Sequence, residues 1–264
     1  MQYFDTLMDS ALTSLAAMLV LAVLGWLWSL RQRDVSVADT LWSLFFVLAT
    51  AIYVVVHWPP TARAVWLMVL VVVWGVRLAV YISARNHGKG EDRRYAEMRE
   101  RRGPSFVWRS LYIVFGLQAV LAWVISAPLL TGIASRTPLG WLDAFGILLA
   151  AGGIVIETIA DAQLAAFKRD PANHDKVMQA GLWAYTRHPN YFGEACIWWG
   201  LGLMGCAGGA WWTLLSPLLM TVLLLRVSGV SLLEQDITER RPAYREYMAR
   251  TNAFLPGPRR GKPT

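Results

Sequence analysis

Charged side chains are scarce in this 264-residue chain: they make up 16% of it, against 56% apolar residues. A soluble domain carries about 25% charged residues. Too little charge is present to cover a water-facing surface, so part of the chain must face lipid. Cysteine is nearly absent. Cys196 and Cys206 lie in one apolar stretch, with no Cys-x-x-Cys and no third partner. This excludes a disulfide framework or a zinc site, and both read as small core residues. The motifs of soluble nucleotide and metal enzymes are missing too. There is no Gly-x-Gly-x-x-Gly after a strand, no Walker loop, no His-Glu-x-x-His and no nucleophile elbow. Nor does the first apolar run have the marks of a cleaved signal. Asp5 and Asp9 precede it where Lys or Arg would stand, so it is expected to persist as a transmembrane helix.

What is present is a series of apolar runs. A helix needs about 20 residues to cross the hydrocarbon core. Seven runs of that order occur: 11–30, 37–56, 64–83, 110–130, 139–160, 191–209 and 211–231. The expected fold is all-α, a polytopic membrane bundle of seven transmembrane helices in a single domain, 1–264. The sixth run ends in Gly205, Gly208 and Gly209, which suits a tight hairpin with the seventh. With seven spans, 22 of the 25 lysines and arginines fall on one side. The positive-inside rule makes that side cytoplasmic, with the N-terminus outside and the C-terminus cytoplasmic. The net charge of +7 then belongs to membrane-flanking loops and does not indicate nucleic acid. The long segments 84–109, 161–190 and 232–264 share the basic side, so a soluble ligand should enter there. The tail 232–264 contains an amphipathic stretch, 239–250, expected as a helix along the membrane or over the bundle.

Polar residues cluster at the cytoplasmic ends of these runs. Charges within spans are costly and face a cavity or a partner. Arg77 and Tyr81 share a face of the third run; Glu157 and Asp161 share one on the fifth, followed by Lys168; Asn190 and Glu194 share one on the sixth. Arg226 and Glu234 lie at and after the end of the seventh, and Asp39 opens the second. Any single pair reads as well as a structural ion pair. Four helices bringing polar faces to one level read better as a polar pocket. The most distinctive segment is Gly181-Leu-Trp-Ala-Tyr-Thr-Arg-His-Pro-Asn-Tyr-Phe-Gly-Glu194. Pro189 suits the first turn of a helix. Arg187 and His188 then precede a helix N-terminus, where backbone N–H groups favour an anion such as phosphate.

That segment resembles the C-terminal signature of the steroid 5-alpha-reductase and sterol-reductase superfamily, and more closely a bacterial branch of membrane proteins within it. Stretches like Glu157–Lys168 and Gly90–Tyr95 extend the resemblance over roughly 35–260. The Arg-His-Pro-x-Tyr core is shared with isoprenylcysteine carboxyl methyltransferases; the Asn-Tyr-x-Gly-Glu continuation favours the reductases. The resemblance implies a seven-helix bundle in a bacterial inner membrane, with NADPH entering from the cytoplasm and a lipid-soluble substrate from the bilayer. It implies that Asn190 and Glu194 bind nicotinamide and ribose within a signature that includes Arg187, His188 and Tyr191. Asp161 would serve the adenosine side, Lys168 and Arg226 the phosphates, and Arg77 and Tyr81 would meet the cofactor; Glu157, at a position that is Asn in the steroid enzymes, and Glu234, near where those enzymes have a tyrosine, are also assigned to cofactor binding.

The substrate half departs from the pattern. The steroid enzymes polarise the ketone with a Glu on the second helix and a Tyr on the third; here Asp39 is the nearest acid, and Trp74 stands at the third-helix position. Hydride transfer to a C=C bond conjugated to a carbonyl needs the developing oxyanion stabilised. Asp39, protonated and donating, or a nearby tyrosine is the expected stabiliser, and Asp39, Tyr81 and Glu194 are the candidate catalytic residues. Two other readings stay open. One is an S-adenosylmethionine-dependent carboxyl methyltransferase, which shares Tyr244 and Tyr247 of the tail. The other is a non-catalytic lipid-binding membrane protein.

Overall fold

Long apolar runs separated by short polar breaks leave the backbone one way to satisfy its hydrogen bonds in lipid, within helices. In the computed structural model, which describes residues 2–227, 230, 234 and 237–260, every regular element is helical. The main helices are α1 (Gln2–Gln32), α2 (Val37–Val56), α3 (Ala62–Asn86), α4 (Arg93–Arg102), α5 (Phe106–Ser110), α6 (Leu117–Ile125), α7 (Ala127–Ala134), α8 (Trp141–Arg169), α9 (Pro189–Ala207) and α10 (Leu215–Val222). Five stretches are long and apolar enough to cross a membrane: Phe4–Gln32, Val37–Val56, Ala62–Asn86, Arg93–Ile125 and Trp141–Arg169. Trp211–Val227 is apolar but shorter.

Local chemistry explains most boundaries. Thr61 caps α3 by accepting from the Ala64 N–H, and Asp92 caps α4 by accepting from the Arg94 N–H. The run 110–130 is not one helix. It opens with a π-helical turn, Leu111–Gly116, and breaks at Ser126, after which Pro128 sits in the first turn of α7. Helix 139–160 continues to Arg169, because Ala162 to Lys168 are good helix formers and the first stop is Asp170-Pro171. The amphipathic stretch 239–250 is not continuous either. Pro242 divides it into Ile237–Arg240 and Tyr244–Arg250.

The chain forms two compact units, residues 1–143 with 203–216, and residues 144–202 with 217–264. In the first, α2 packs on α1 and α3, α6 packs on α1 and α2, and α7 on α2 and α3. Phe45, Phe46, Leu67, Trp74 and Phe115 fill its core. Hydroxyls tie its helices together. Tyr53 Oη lies 2.9 Å from both Ser14 Oγ and Ser126 Oγ, and Ser10 Oγ lies 3.1 Å from His57 Nε2. In the second unit α8 and α9 run at backbone contact. A Cβ on Gly153 would stand 2.5 Å from the Gly193 carbonyl, and one on Gly200 2.4 Å from the Gly146 carbonyl. Only glycine permits this approach, as in small-residue helix pairs in membranes.

Candidate functional site

The close approach of α8 and α9 sets up the first part of the site. A Cβ on Gly193 would lie 2.8 Å from the Glu157 nitrogen, so the Glu157–Asp161 face of α8 lies against the first turns of α9. Glu157, Asp161 and Glu194 are all buried. Asn190 Nδ2 donates to Asp161 Oδ1 at 3.4 Å, a long bond. Three buried carboxylates and an amide make a surface rich in acceptors. Such a surface offers acceptors to the hydroxyls of a ribose, a carboxamide N–H or a cation. Lys168 is exposed near the end of α8, and Arg226 is exposed on a π-helical turn, Leu223–Val227.

The segment before α9 is built as a rigid approach. Gly181–Ala184 forms one 3-10 turn. The Leu182 N–H donates to Gln163 Oε1 at 3.0 Å, and Trp183 Nε1 donates to the Ala160 carbonyl at 3.1 Å. The tail grips it from the other side. The Arg187 N–H donates to the Asn252 carbonyl, Thr186 Oγ1 to the Phe254 carbonyl, and Tyr247 Oη to the Trp183 carbonyl at 2.5 Å. Helix α9 then starts at Pro189, as the sequence predicts.

Here the structure corrects an expectation. Arg187 was expected to offer its charge to a phosphate. Instead Nε and Nη2 donate to the two oxygens of Glu234 at 2.7 and 2.8 Å, and Nη1 donates to the carbonyls of Thr251 and Met248. His188 Nε2 lies 2.9 Å from the same Glu234 oxygen, its ring stacked on Tyr191, and Tyr244 Oη donates to that oxygen at 3.3 Å. Arg187, His188, Tyr191 and Glu234 thus come together around a carboxylate. Burial alone would raise the Glu234 carboxyl, but the bonds from His188 and Arg187 outweigh it and hold its pKa at about 2. Tyr244 is pushed well up by burial and by the Glu234 charge beside it.

In the first unit Asp39 is also found in a different role. It was expected to donate a hydrogen bond. The structure makes it an acceptor, from Tyr95 Oη at 2.6 Å and from Arg94 Nη2 at 2.5 Å. Arg94 Nε is held in turn by Asp92 at 2.9 Å. The donors of this group are therefore the buried phenol Tyr95 and the Arg94 guanidinium. Arg77 and Tyr81 are half-buried one turn apart on α3, and Trp74 is fully buried one turn earlier.

Two residue sets escaped the sequence reading. Tyr95 and Arg94 close the Gly90–Tyr95 stretch of the resemblance, which assigns them no role; the available signal is Tyr95, an aromatic amid charges. Arg63 and Asp143 form a buried pair at 2.7 Å, yet both stand at the rims of apolar runs, where a charge is ordinary.

Comparison with known proteins adds a family and one partial likeness. Residues 25–251 match a family described as a protein of unknown function, DUF1295. That match covers most of the chain, and the chain belongs to this family. A stretch of 66 residues, 25% of the chain, is 36% identical to the probable O-methyltransferase ustE of Ustilaginoidea virens. The chain spans only 22% of that protein's length. No solved structure matches.

Proposed function

We propose that this member of the DUF1295 family is a membrane-embedded reductase that passes hydride from NADPH to an activated C=C bond of a lipid-soluble enone. The observation that carries the reading is the buried acceptor face of α8 and α9, with Asn190 on Asp161 and Glu157 and Glu194 alongside. These residues fit a nicotinamide ribose and carboxamide, which offer hydroxyl and N–H donors. Asn190 and Glu194 would hold that end, Asp161 the adenosine side with Glu157 alongside, and the exposed Lys168 and Arg226 the phosphates, the 2′-phosphate of NADPH included. NADPH when bound supplies the hydride. The chain supplies the rest. The enone oxygen needs a hydrogen-bond donor as negative charge develops there; the one Tyr95 phenol proton is held by Asp39.

In the same reading α9 and the apolar stretch Trp211–Val227 belong to the sixth and seventh crossings of a bacterial inner membrane, residues 228, 229 and 231 of the seventh run lying outside the described residues, and the site opens to the cytoplasm. Exposed Trp58, Trp141, Trp211 and Trp212 fit the belt at one interface, and the arginines of α4 fit the other. A C-terminal reporter active only in the cytoplasm tests the orientation.

The partial likeness to an O-methyltransferase supports a second reading, because an acidic face also accepts the ammonium and sulfonium of S-adenosylmethionine. One experiment separates the two. The purified protein is titrated with NADPH or S-adenosylmethionine and its thermal unfolding followed. A ligand specific to the folded state adds about 2.7 kcal/mol at a hundredfold excess over its Kd. The reductase reading expects that gain from NADPH, and its loss in Asn190→Ala and Glu194→Ala. A gain from S-adenosylmethionine alone would replace the reductase with a methyltransferase.

A further inference from the structure

The chain has 21 arginines and four lysines, and all six basic residues between 93 and 109 are arginine. A guanidinium grips a phosphate with two parallel N–H donors, which an ammonium does not. Two of the six are engaged inside the fold: Arg94 by Asp39 and Asp92, and Arg99 by Glu91 at 2.7 Å. The outward ones are not neutralised in the same way. Glu97 reaches Arg93 at 3.5 Å and Arg101 at 3.8 Å, but Arg101 is 80% exposed, and an exposed pair at that range holds little. Arg102 and Arg109 are exposed as well.

Trp108, next to Arg109, is 67% exposed yet fixed in place. Its ring lies 5.3 Å from that of Trp26, whose Nε1 donates to the Val107 carbonyl at 3.0 Å. Tyr112, one turn further, is 60% exposed. This is where the stretch Arg93–Ile125, long and apolar enough to cross a membrane, passes from arginine-rich to apolar sequence. Indole rings settle at headgroup level. A tryptophan anchored there puts the neighbouring guanidiniums at the height of lipid phosphates, and the unneutralised charge selects for anionic lipid.

We propose that Arg101, Arg102, Trp108 and Arg109 form a binding site for the headgroup of an anionic phospholipid, with Tyr112 against the start of its acyl chain. The site makes no assumption about NADPH or catalysis.

The test follows thermal unfolding of the full chain in detergent with added phosphatidylglycerol, phosphatidylcholine or inorganic phosphate. Phosphatidylglycerol is expected to raise the unfolding temperature, and the other two are not. At roughly 1 kcal/mol per arginine near an anionic surface, Arg102→Gln should raise the half-saturating phosphatidylglycerol concentration about fivefold, and Arg101→Gln/Arg102→Gln/Arg109→Gln on the order of a hundredfold. Arg245→Gln, in the tail, should leave it unchanged. Equal stabilisation by phosphatidylcholine, an equal response to inorganic phosphate, or an unaltered response in Arg102→Gln would overturn the proposal. The single variant keeps the test decisive if the triple variant does not fold.

Discussion

Arg63 meets Asp143 through Nε at 2.7 Å and Nη2 at 2.9 Å, and Arg187 meets Glu234 through Nε at 2.7 Å and Nη2 at 2.8 Å. The two forks are nearly superposable in their distances, and their surroundings are opposite in kind. The remaining Arg63 donors reach the carbonyls of Thr137 and Pro138 and the hydroxyls of Ser135 and Thr137. None of these titrates in the physiological range, and both partners are 1% exposed. That pair bolts the start of α3 to the segment entering α8. Arg187 also donates to carbonyls, but its carboxylate is shared with an imidazole and a phenol, His188 and Tyr244. One geometry thus gives a staple where backbone and hydroxyls surround it and a hub where an imidazole and a phenol share its carboxylate. The bidentate contact itself carries no function; the second ring of partners decides.

The comparison breaks most directly at Asp143. Asp143→Ala leaves the Arg63 guanidinium buried with its counter-ion gone, a change that costs about 3–5 kcal/mol. Thermal unfolding of the purified protein should show it as the largest loss among these variants. A cost below about 1 kcal/mol would mean that water reaches Arg63, and the distinction between staple and hub would fall.

The apolar helices were legible because lipid demands length and hydropathy, which composition displays: α2 spans 37–56 as read. The start of α9 at Pro189 was legible because proline fixes its own turn. Where structure and sequence pattern differ, a tertiary partner makes the difference. Asp39 reads as a lone acid opening a helix, and only the fold brings Tyr95 and Arg94 onto it from a segment over 50 residues away. Arg187 reads as an anion ligand, because a carboxylate 47 residues later leaves no local trace. Arg63 leaves no mark in the sequence, because a rim arginine looks the same whether it snorkels to water or folds inward.

Glu234→Gln sharpens the other half of the comparison. The amide keeps one acceptor, and Arg187 keeps its bonds to the carbonyls of Met248 and Thr251, so the expected loss near neutral pH is smaller, about 1–3 kcal/mol. Its signature is in pH. The Glu234 pKa is lowered from 4.5 to about 2. A carboxyl lowered on folding stabilises fully above its unfolded pKa, and that contribution disappears as pH falls through the folded one. The gap between wild type and Glu234→Gln should therefore narrow as pH falls from 4.5 to 2. A gap constant over that window, in unfolding temperatures measured side by side, would show that the Glu234 charge does not carry the stability of the hub.

The smallest expected effect isolates the tail's grip from the charge of the hub. Tyr247 Oη donates to the Trp183 carbonyl at 2.5 Å from a buried position, beside the hub but not bonded to its carboxylate. Tyr247→Phe keeps the ring and its edge-on contact with Tyr244 and removes one neutral hydrogen bond, a loss of about 1 kcal/mol. Burial raises the Tyr247 phenol above its ordinary value, so it stays protonated throughout the acid range, and the loss should be flat between pH 4.5 and 2, where that of Glu234→Gln is not. A Tyr247→Phe loss that tracks pH as Glu234→Gln does would show that the tail's grip and the hub's charge act as one coupled unit.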